Sequence, residues 1–315
     1  GRLDARRTLK SLVADLRLNT FFLWFYCRWR PAWEFSIESF KEMFGFGSKL
    51  LVSGLIDTIY KNIYYIVIGR FYDPDQLGQY TRAEQFKLIF SSNLTAVVQR
   101  VSYPVLSSIQ SEPVRLREAY RRVIKLTMIV TFACMLGLAA IAKPLIILLI
   151  GEKWLPAVPF LQIICFSGML YPLHAINLNI LQVKGRSDLY LKLEIIKKII
   201  AVITIFIGIF WGIECMLWGG VFVSFISFFL NSYYSADLID YSTKNQISDI
   251  FPFLIISLIV SFCIWLISFT EWSYIIILII QIIVGIGLYW FISEKLPIQE
   301  YQEVRQLVFS LFKKK

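Results

Sequence analysis

The sequence predicts an all-α polytopic transmembrane bundle of about eight spans. Three observations carry that expectation. The chain has 315 residues, 57% of them hydrophobic, and a mean hydropathy of +0.63. Only 17% are charged, well below the quarter usual in soluble domains. The apolar runs recur at lengths that suit a hydrocarbon core of about 30 Å, which needs roughly 20 helical residues.

The spans fall at about 47–70, 79–106, 121–150, 156–183, 188–210, 215–238, 250–269 and 273–293. A short apolar piece at 20–27 reads as the end of an earlier span. The third span contains Pro144, where a kink or break is expected because proline lacks an amide donor. The spans are preceded by residues 1–46 and followed by a basic tail over 294–315.

Loop charge sets the orientation. With 28–46 placed in the cytoplasm and the spans alternated, fifteen basic residues fall on that side: Arg28, Arg30, Lys41, Arg115, Arg117, Arg121, Arg122, Lys184, Arg186, Lys244, Lys295, Arg305, Lys313, Lys314 and Lys315. The other side holds Lys143 and Lys153, with Arg70 at a boundary. Excess Lys and Arg mark cytoplasmic loops. The formal net charge of +10 therefore reflects topology and not nucleic-acid binding. The C-terminus is accordingly expected in the cytoplasm.

The first two spans are amphipathic. At about 100° per residue, Lys49, Ser53, Asp57, Tyr60, Lys61 and Tyr64 share one arc of the first. Thr81, Arg82, Gln85, Ser92, Asn93, Gln99, Arg100 and Tyr103 share one face of the second. A charge at bilayer depth costs at least a few kcal/mol, so such faces must turn from lipid. Two adjacent stripes suggest two walls of a cavity; polar packing without a cavity is the plainer alternative.

Asp57 and Lys61 are spaced to pair along a helix, as a structural ion pair or as part of a site. Arg82 and Arg100 lie roughly 27 Å apart along the axis, near the two mouths of a span. Guanidinium groups suit bidentate phosphate recognition, although either could merely snorkel. Lys87 points off this stripe. The stretch "GRSDLYLKLEIIKK" runs from a loop into an apolar helix and carries Asp188, Lys192, Glu194, Lys197 and Lys198. Asp188 to Lys192 and Glu194 to Lys198 have acid-to-base spacing that lets each pair close. Lys197, near mid-depth, calls for a polar interior.

Catalytic chemistry finds no foothold. There is no Walker A, GxSxG or HExxH pattern, and no large loop for a catalytic domain. His174 is the single histidine and cannot build a metal site alone. Cys27, Cys134, Cys165, Cys215 and Cys263 form no CxxC and read as small apolar residues. No cofactor and no metal are expected. Basic residues 1–18 do not read as a signal peptide.

Several stretches then carry a resemblance: "RPAWEFSIESFKEMFGFGSKLLVSGL", "IVIGRFYDPDQLGQYTRAEQF", "RVSYPVLSSIQSEPVRLREAYRR", "GEKWLPAVPFLQIIC" and "GRSDLYLKLEIIKK". The chain resembles bacterial flippases of the multidrug/oligosaccharidyl-lipid/polysaccharide (MOP) exporter superfamily, in the lipopolysaccharide and capsule biosynthesis branch. The resemblance implies fourteen helices in two six-helix lobes plus a final pair in the bacterial inner membrane, with this chain matching helices 7–14. It divides the chain into 1–46, an N-terminal remnant and cytoplasmic linker; 47–239, a six-helix lobe; 240–293, two further helices; and 294–315, a cytoplasmic tail. It implies alternating-access transport of an undecaprenyl-diphosphate-linked oligosaccharide. Its partners would be that lipid-linked oligosaccharide and membrane lipid, with polymerase machinery as a further candidate. On this basis Lys61, Arg82, Arg100, Tyr60, Tyr64, Gln85, Asn93, Lys197 and Lys198 are expected on the cavity wall. Asp57 and Glu194 are expected to balance charge or answer a coupling ion. Residues 1–18 are basic where an apolar sixth helix would run, so the chain reads as truncated. The alternatives are a multidrug or small-molecule exporter of the same fold, disfavoured by the basic stripes, and a membrane polymerase or acyltransferase, disfavoured by the short loops.

Overall fold

The computed structural model describes Phe22, residues 35–295 and residues 300–301. It divides into units 1–45 and 46–315. In the first unit, Phe35, Phe40 and Phe44 form a local aromatic ladder. The expected roles of Cys27, Arg28, Arg30, the 20–27 piece, Arg305 and the final lysines lie outside the described residues.

The described residues are helical throughout: α1 (Ile37–Phe71), α2 (Pro74–Ser108), α3 (Pro113–Ile150), α4 (Ala157–Gly168), α5 (Tyr171–Val183), α6 (Ser187–Trp211), α7 (Ile213–Ile239), α8 (Thr243–Leu266) and α9 (Tyr274–Lys295), with single 3-10 turns at Glu152–Trp154 and Ile267–Phe269. Six stretches are long and apolar enough to cross a membrane: α1, α3, α4 with α5, α7, α8 with its 3-10 turn, and α9 up to Ile292. The two remaining predicted spans are α2 and α6. They have span length but carry the polar and ionic residues described below. The chain is thus a multi-pass helical membrane bundle.

Local chemistry sets the helix ends. Pro74 and Pro113 sit in the first turns of α2 and α3, where a missing amide donor leaves no hydrogen bond unmade. The Ser242 hydroxyl caps α8 by accepting from the Asn245 amide at 3.2 Å. Two expectations need correction. Helix α3 runs through Pro144 to Ile150 and does not break there. The break falls in the fourth predicted span, at Met169–Leu170, between α4 and α5. Pro172, in the first turn of α5, supplies no amide donor to the turn before it, and that favours the interruption.

The apolar core centres on α3, which packs extensively on α8 and also on α4, α2 and α9. Leu116, Tyr120, Ile124, Met128, Phe132 and Ile146 along α3 are fully or almost fully buried. Helices α6 and α7 form a second tight hairpin. Gly212, at φ +102°, turns the chain there, a conformation open to glycine at little cost. Gly208 lets the arms close: a Cβ on it would lie 2.4 Å from Met216 Cβ. Helix α1 differs from both. Its backbone makes few close approaches to the other helices, and Leu51, Leu55, Ile59 and Ile66 are exposed.

Candidate functional site

The gap beside α1 is a cavity of about 510 Å³. Its wall includes Ser53, Asp57, Tyr60, Lys61 and Tyr64 from α1, and Tyr80, Glu84, Lys87, Ser91 and Thr95 from α2. The α4–α5 break contributes Ser167, Gly168 and Tyr171. Helix α6 contributes Tyr190, Glu194, Lys197 and Lys198, and α7 contributes Ser224 and Ser227.

An ionic network joins α1 to α6 within unit 46–315. Asp57 accepts from Lys61 Nζ at 2.7 Å and from Lys198 Nζ at 2.8 Å, one on each carboxylate oxygen. Glu194 accepts from Lys197, and its second oxygen lies 3.7 Å from Lys198 Nζ. Lys198 Nζ also sits 4.0 Å from the centre of the Tyr60 ring, a distance at which the ring face attracts a cation. The Tyr60 and Tyr64 hydroxyls are 3.4 Å apart, and the Tyr64 ring stacks on Tyr80 of α2. Glu194 and Lys197 are buried, whereas the Lys61 side chain is 55% exposed.

The expected pairings hold in part. Asp57–Lys61 closes along α1. On α6 the tighter partner of Glu194 is Lys197, three residues on, while Lys198 is drawn across to Asp57. Asp188 pairs with Arg186 at 2.9 Å instead of Lys192, whose Nζ lies 5.6 Å from the Tyr234 ring centre.

Seven of the eleven expected site residues therefore share this wall: Asp57, Tyr60, Lys61, Tyr64, Glu194, Lys197 and Lys198. The other four stand elsewhere. Arg82, Gln85, Asn93 and Arg100 are exposed on α2, away from the cavity lining. Arg82 donates to Gln85 at 3.0 Å and lies over the Trp154 ring, while Asn93 bonds back to the Ile89 carbonyl. The face of α2 that meets the cavity carries Tyr80, Glu84, Lys87, Ser91 and Thr95, with Ser92 and Gln99 from the expected stripe at its edge, so it overlaps that arc but is turned from its charged members. Glu84 and Lys87 pair at 2.6 Å and are mostly buried, so they enter the interior as a nearly neutral unit. Their spacing of three was the available signal.

Counting the wall charges gives four lysines (Lys61, Lys87, Lys197, Lys198) against three carboxylates (Asp57, Glu84, Glu194), an excess of one positive charge. Six tyrosines line it as well: Tyr60, Tyr64, Tyr65, Tyr80, Tyr171 and Tyr190. His174, also on the wall, contacts the Ser224 hydroxyl at 3.0 Å through Nε2. Among the described residues no cluster of His, Cys, Asp and Glu is placed to hold a metal.

The family described as "Polysaccharide biosynthesis protein" matches residues 9–159. The teichuronic acid biosynthesis protein TuaB of Bacillus subtilis (strain 168) is 30% identical over 230 residues, covering 72% of this chain and 48% of TuaB. These matches relate the chain to polysaccharide biosynthesis proteins of the MOP type. The lipopolysaccharide biosynthesis protein WzxC of Escherichia coli (strain K12) is 27% identical over 57% of this chain and 37% of its own length. The succinoglycan biosynthesis transport protein ExoT of Rhizobium meliloti (strain 1021) is 25% identical over 51% and 34%. A solved structure titled "Lipid II flippase MurJ, inward closed conformation" superposes with a TM-score of 0.65 at 19% identity, over 83% of this chain and 56% of that one. That likeness concerns the fold. The chain spans about half the length of TuaB and less of WzxC and ExoT.

Proposed function

We propose that this chain forms one wall of a flippase for a lipid-linked oligosaccharide, moved across the bacterial inner membrane by alternating access for surface polysaccharide biosynthesis. The observation that carries it is the cavity: an excess of lysine over carboxylate beside a bank of tyrosines. A diphosphate matches the lysines by charge-assisted hydrogen bonding, and the tyrosine rings offer flat apolar faces and hydroxyls to sugars. Relatives named for lipopolysaccharide biosynthesis, succinoglycan transport and lipid II flipping support the same class of solute.

In this reading Lys61 and Lys198 meet the diphosphate, and Asp57 holds both until it arrives. Glu194 holds Lys197 in place. The chain corresponds to helices 7–14 of the fourteen-helix plan, with its C-terminus in the cytoplasm. Its segments are a linker to residue 46, a lobe over 47–239, a helix pair over 240–293 and a tail. A small-molecule cation exporter would want the opposite wall charge. The test is transport of undecaprenyl-diphosphate oligosaccharide in proteoliposomes by the protein that contains this chain. Lys61→Gln with Lys198→Gln is expected to abolish transport while leaving the protein folded; undiminished transport overturns the assignment.

A further inference from the structure

Beyond Ser227, where the cavity wall ends on α7, a line of polar side chains continues into the packed helices. Along α7, Ser224, Ser227, Asn231 and Ser235 follow one another on a single face, at the three-to-four-residue spacing of a helix. The first two line the cavity. The next two are completely buried. Neither side-chain atom of Asn231 has a hydrogen-bond partner among the described residues. An amide buried in an apolar span without partners is costly, and protein interiors usually remove that cost with bound water.

The line continues beyond α7. Ser235 Oγ lies 3.4 Å from Asn177 Oδ1 on α5, and the Tyr120 hydroxyl of α3 donates to that same oxygen. Asn177 Nδ2, also fully buried, has no partner among the described residues. The Tyr120 ring meets Tyr241 edge-on, and the Tyr241 hydroxyl donates to Asp249 at 2.6 Å. Asp249 is clamped by the half-exposed Arg121 and approached by Lys125 at 3.7 Å. On the same helix, one turn before Asp249, both side-chain atoms of the buried Gln246 lack partners too. The serines alone could be ordinary helix packing. The unpartnered amides at Asn231 and Asn177 are not explained that way, because each presents donors or acceptors that the packed helices leave unused.

We propose that Asn177, Asn231 and Ser235 hold a file of water that connects the cavity with the Asp249 cluster at the far end of α3 and α8. Water satisfies the unused amide atoms and bridges Ser227 to Ser235. The file is too narrow for a solute such as a sugar. It gives the cavity a second, water-only opening, independent of which solute the cavity binds.

Radiolytic hydroxyl-radical footprinting of the purified protein in nanodiscs tests this, because radicals formed from bound water mark side chains that bulk solvent cannot reach. Tyr120 and Phe132 lie on the same helix, and both are almost wholly buried. Tyr120 is expected to be oxidised several-fold faster than Phe132. Asn231→Leu combined with Ser235→Val should bring Tyr120 down toward the Phe132 rate. If that variant does not fold, Asn231→Ser, which keeps a polar group, should leave the fast labelling in place. Equal rates at Tyr120 and Phe132 in the unaltered protein overturn the proposal. So does fast Tyr120 labelling that survives the double substitution in a folded protein.

Discussion

Two ionic networks in this molecule use the same chemistry in different settings. One joins Asp57, Lys61, Glu194, Lys197 and Lys198 at the cavity. The other joins Arg121, Lys125, Asp249 and Glu300 at the end of the α3–α8 pair. The cavity network has three lysines for two carboxylates, and the end cluster has two cations for two. In the end cluster Arg121 is half-exposed and can keep water around its charge. In the cavity Glu194 and Lys197 are buried together, 7% and 9% exposed at their side chains, so each depends on the other. The backbone around them differs as well. The end cluster ties helices that are already closely packed, while the cavity network spans a gap between α1 and α6 that few backbone contacts bridge. A network of the first kind holds a fold together. One of the second kind holds charges in position beside an open volume.

That contrast can be broken by substitution. Glu194→Ala strands Lys197 in the interior, and breaking a buried pair by removing one partner costs roughly 3–5 kcal/mol. Thermal unfolding in nanodiscs should show this as the largest loss in the set, and removing Lys197 as well should recover part of it. Asp249→Ala removes the acceptor of Tyr241 and the partner of Arg121. With its cations free to reach water, the expected loss is about 1.5–3 kcal/mol, the range for hydrogen bonds to a charged group. Lys61→Ala should be the mildest. Its side chain is more than half exposed and Asp57 keeps Lys198, so the change should stay below about 1 kcal/mol. A large loss at Lys61 would show that the cavity network is structural in the way the end cluster is, and a negligible one at Glu194 would show that Lys197 does not depend on it.

Much of this was legible in the sequence because it follows from spacing within one helix. The eight predicted spans correspond to the long helical segments, and Asp57–Lys61 closes as its spacing suggests. The cluster at Glu194, Lys197 and Lys198 does face a polar interior. What was not legible depends on a second helix. The Lys198–Asp57 contact joins positions 141 residues apart, and no periodicity in either helix announces it. The face of α2 was placed only in part, with Ser92 and Gln99 on the cavity and the arginines off it, for a related reason. A helical wheel weights Arg82 and Arg100 heavily because each is charged, yet Glu84 and Lys87 cancel one another and can be buried at less cost. Those two carry the inward face. The interruption at Met169–Leu170 was available from the Tyr171-Pro172 step but was outweighed by the unbroken apolar run around it.

The central claim is that the cavity face, and not the outward face of α2, meets the anionic end of a lipid-linked solute. Its most direct test is binding of undecaprenyl diphosphate to the purified protein containing this chain, comparing Lys61→Gln with Lys198→Gln against Arg82→Gln with Arg100→Gln. The cavity pair is expected to lose at least about tenfold in affinity, corresponding to 1.4 kcal/mol or more, while the outward pair stays within twofold of the unaltered protein. Undiminished binding in the lysine pair, with binding lost in the arginine pair, would contradict the account.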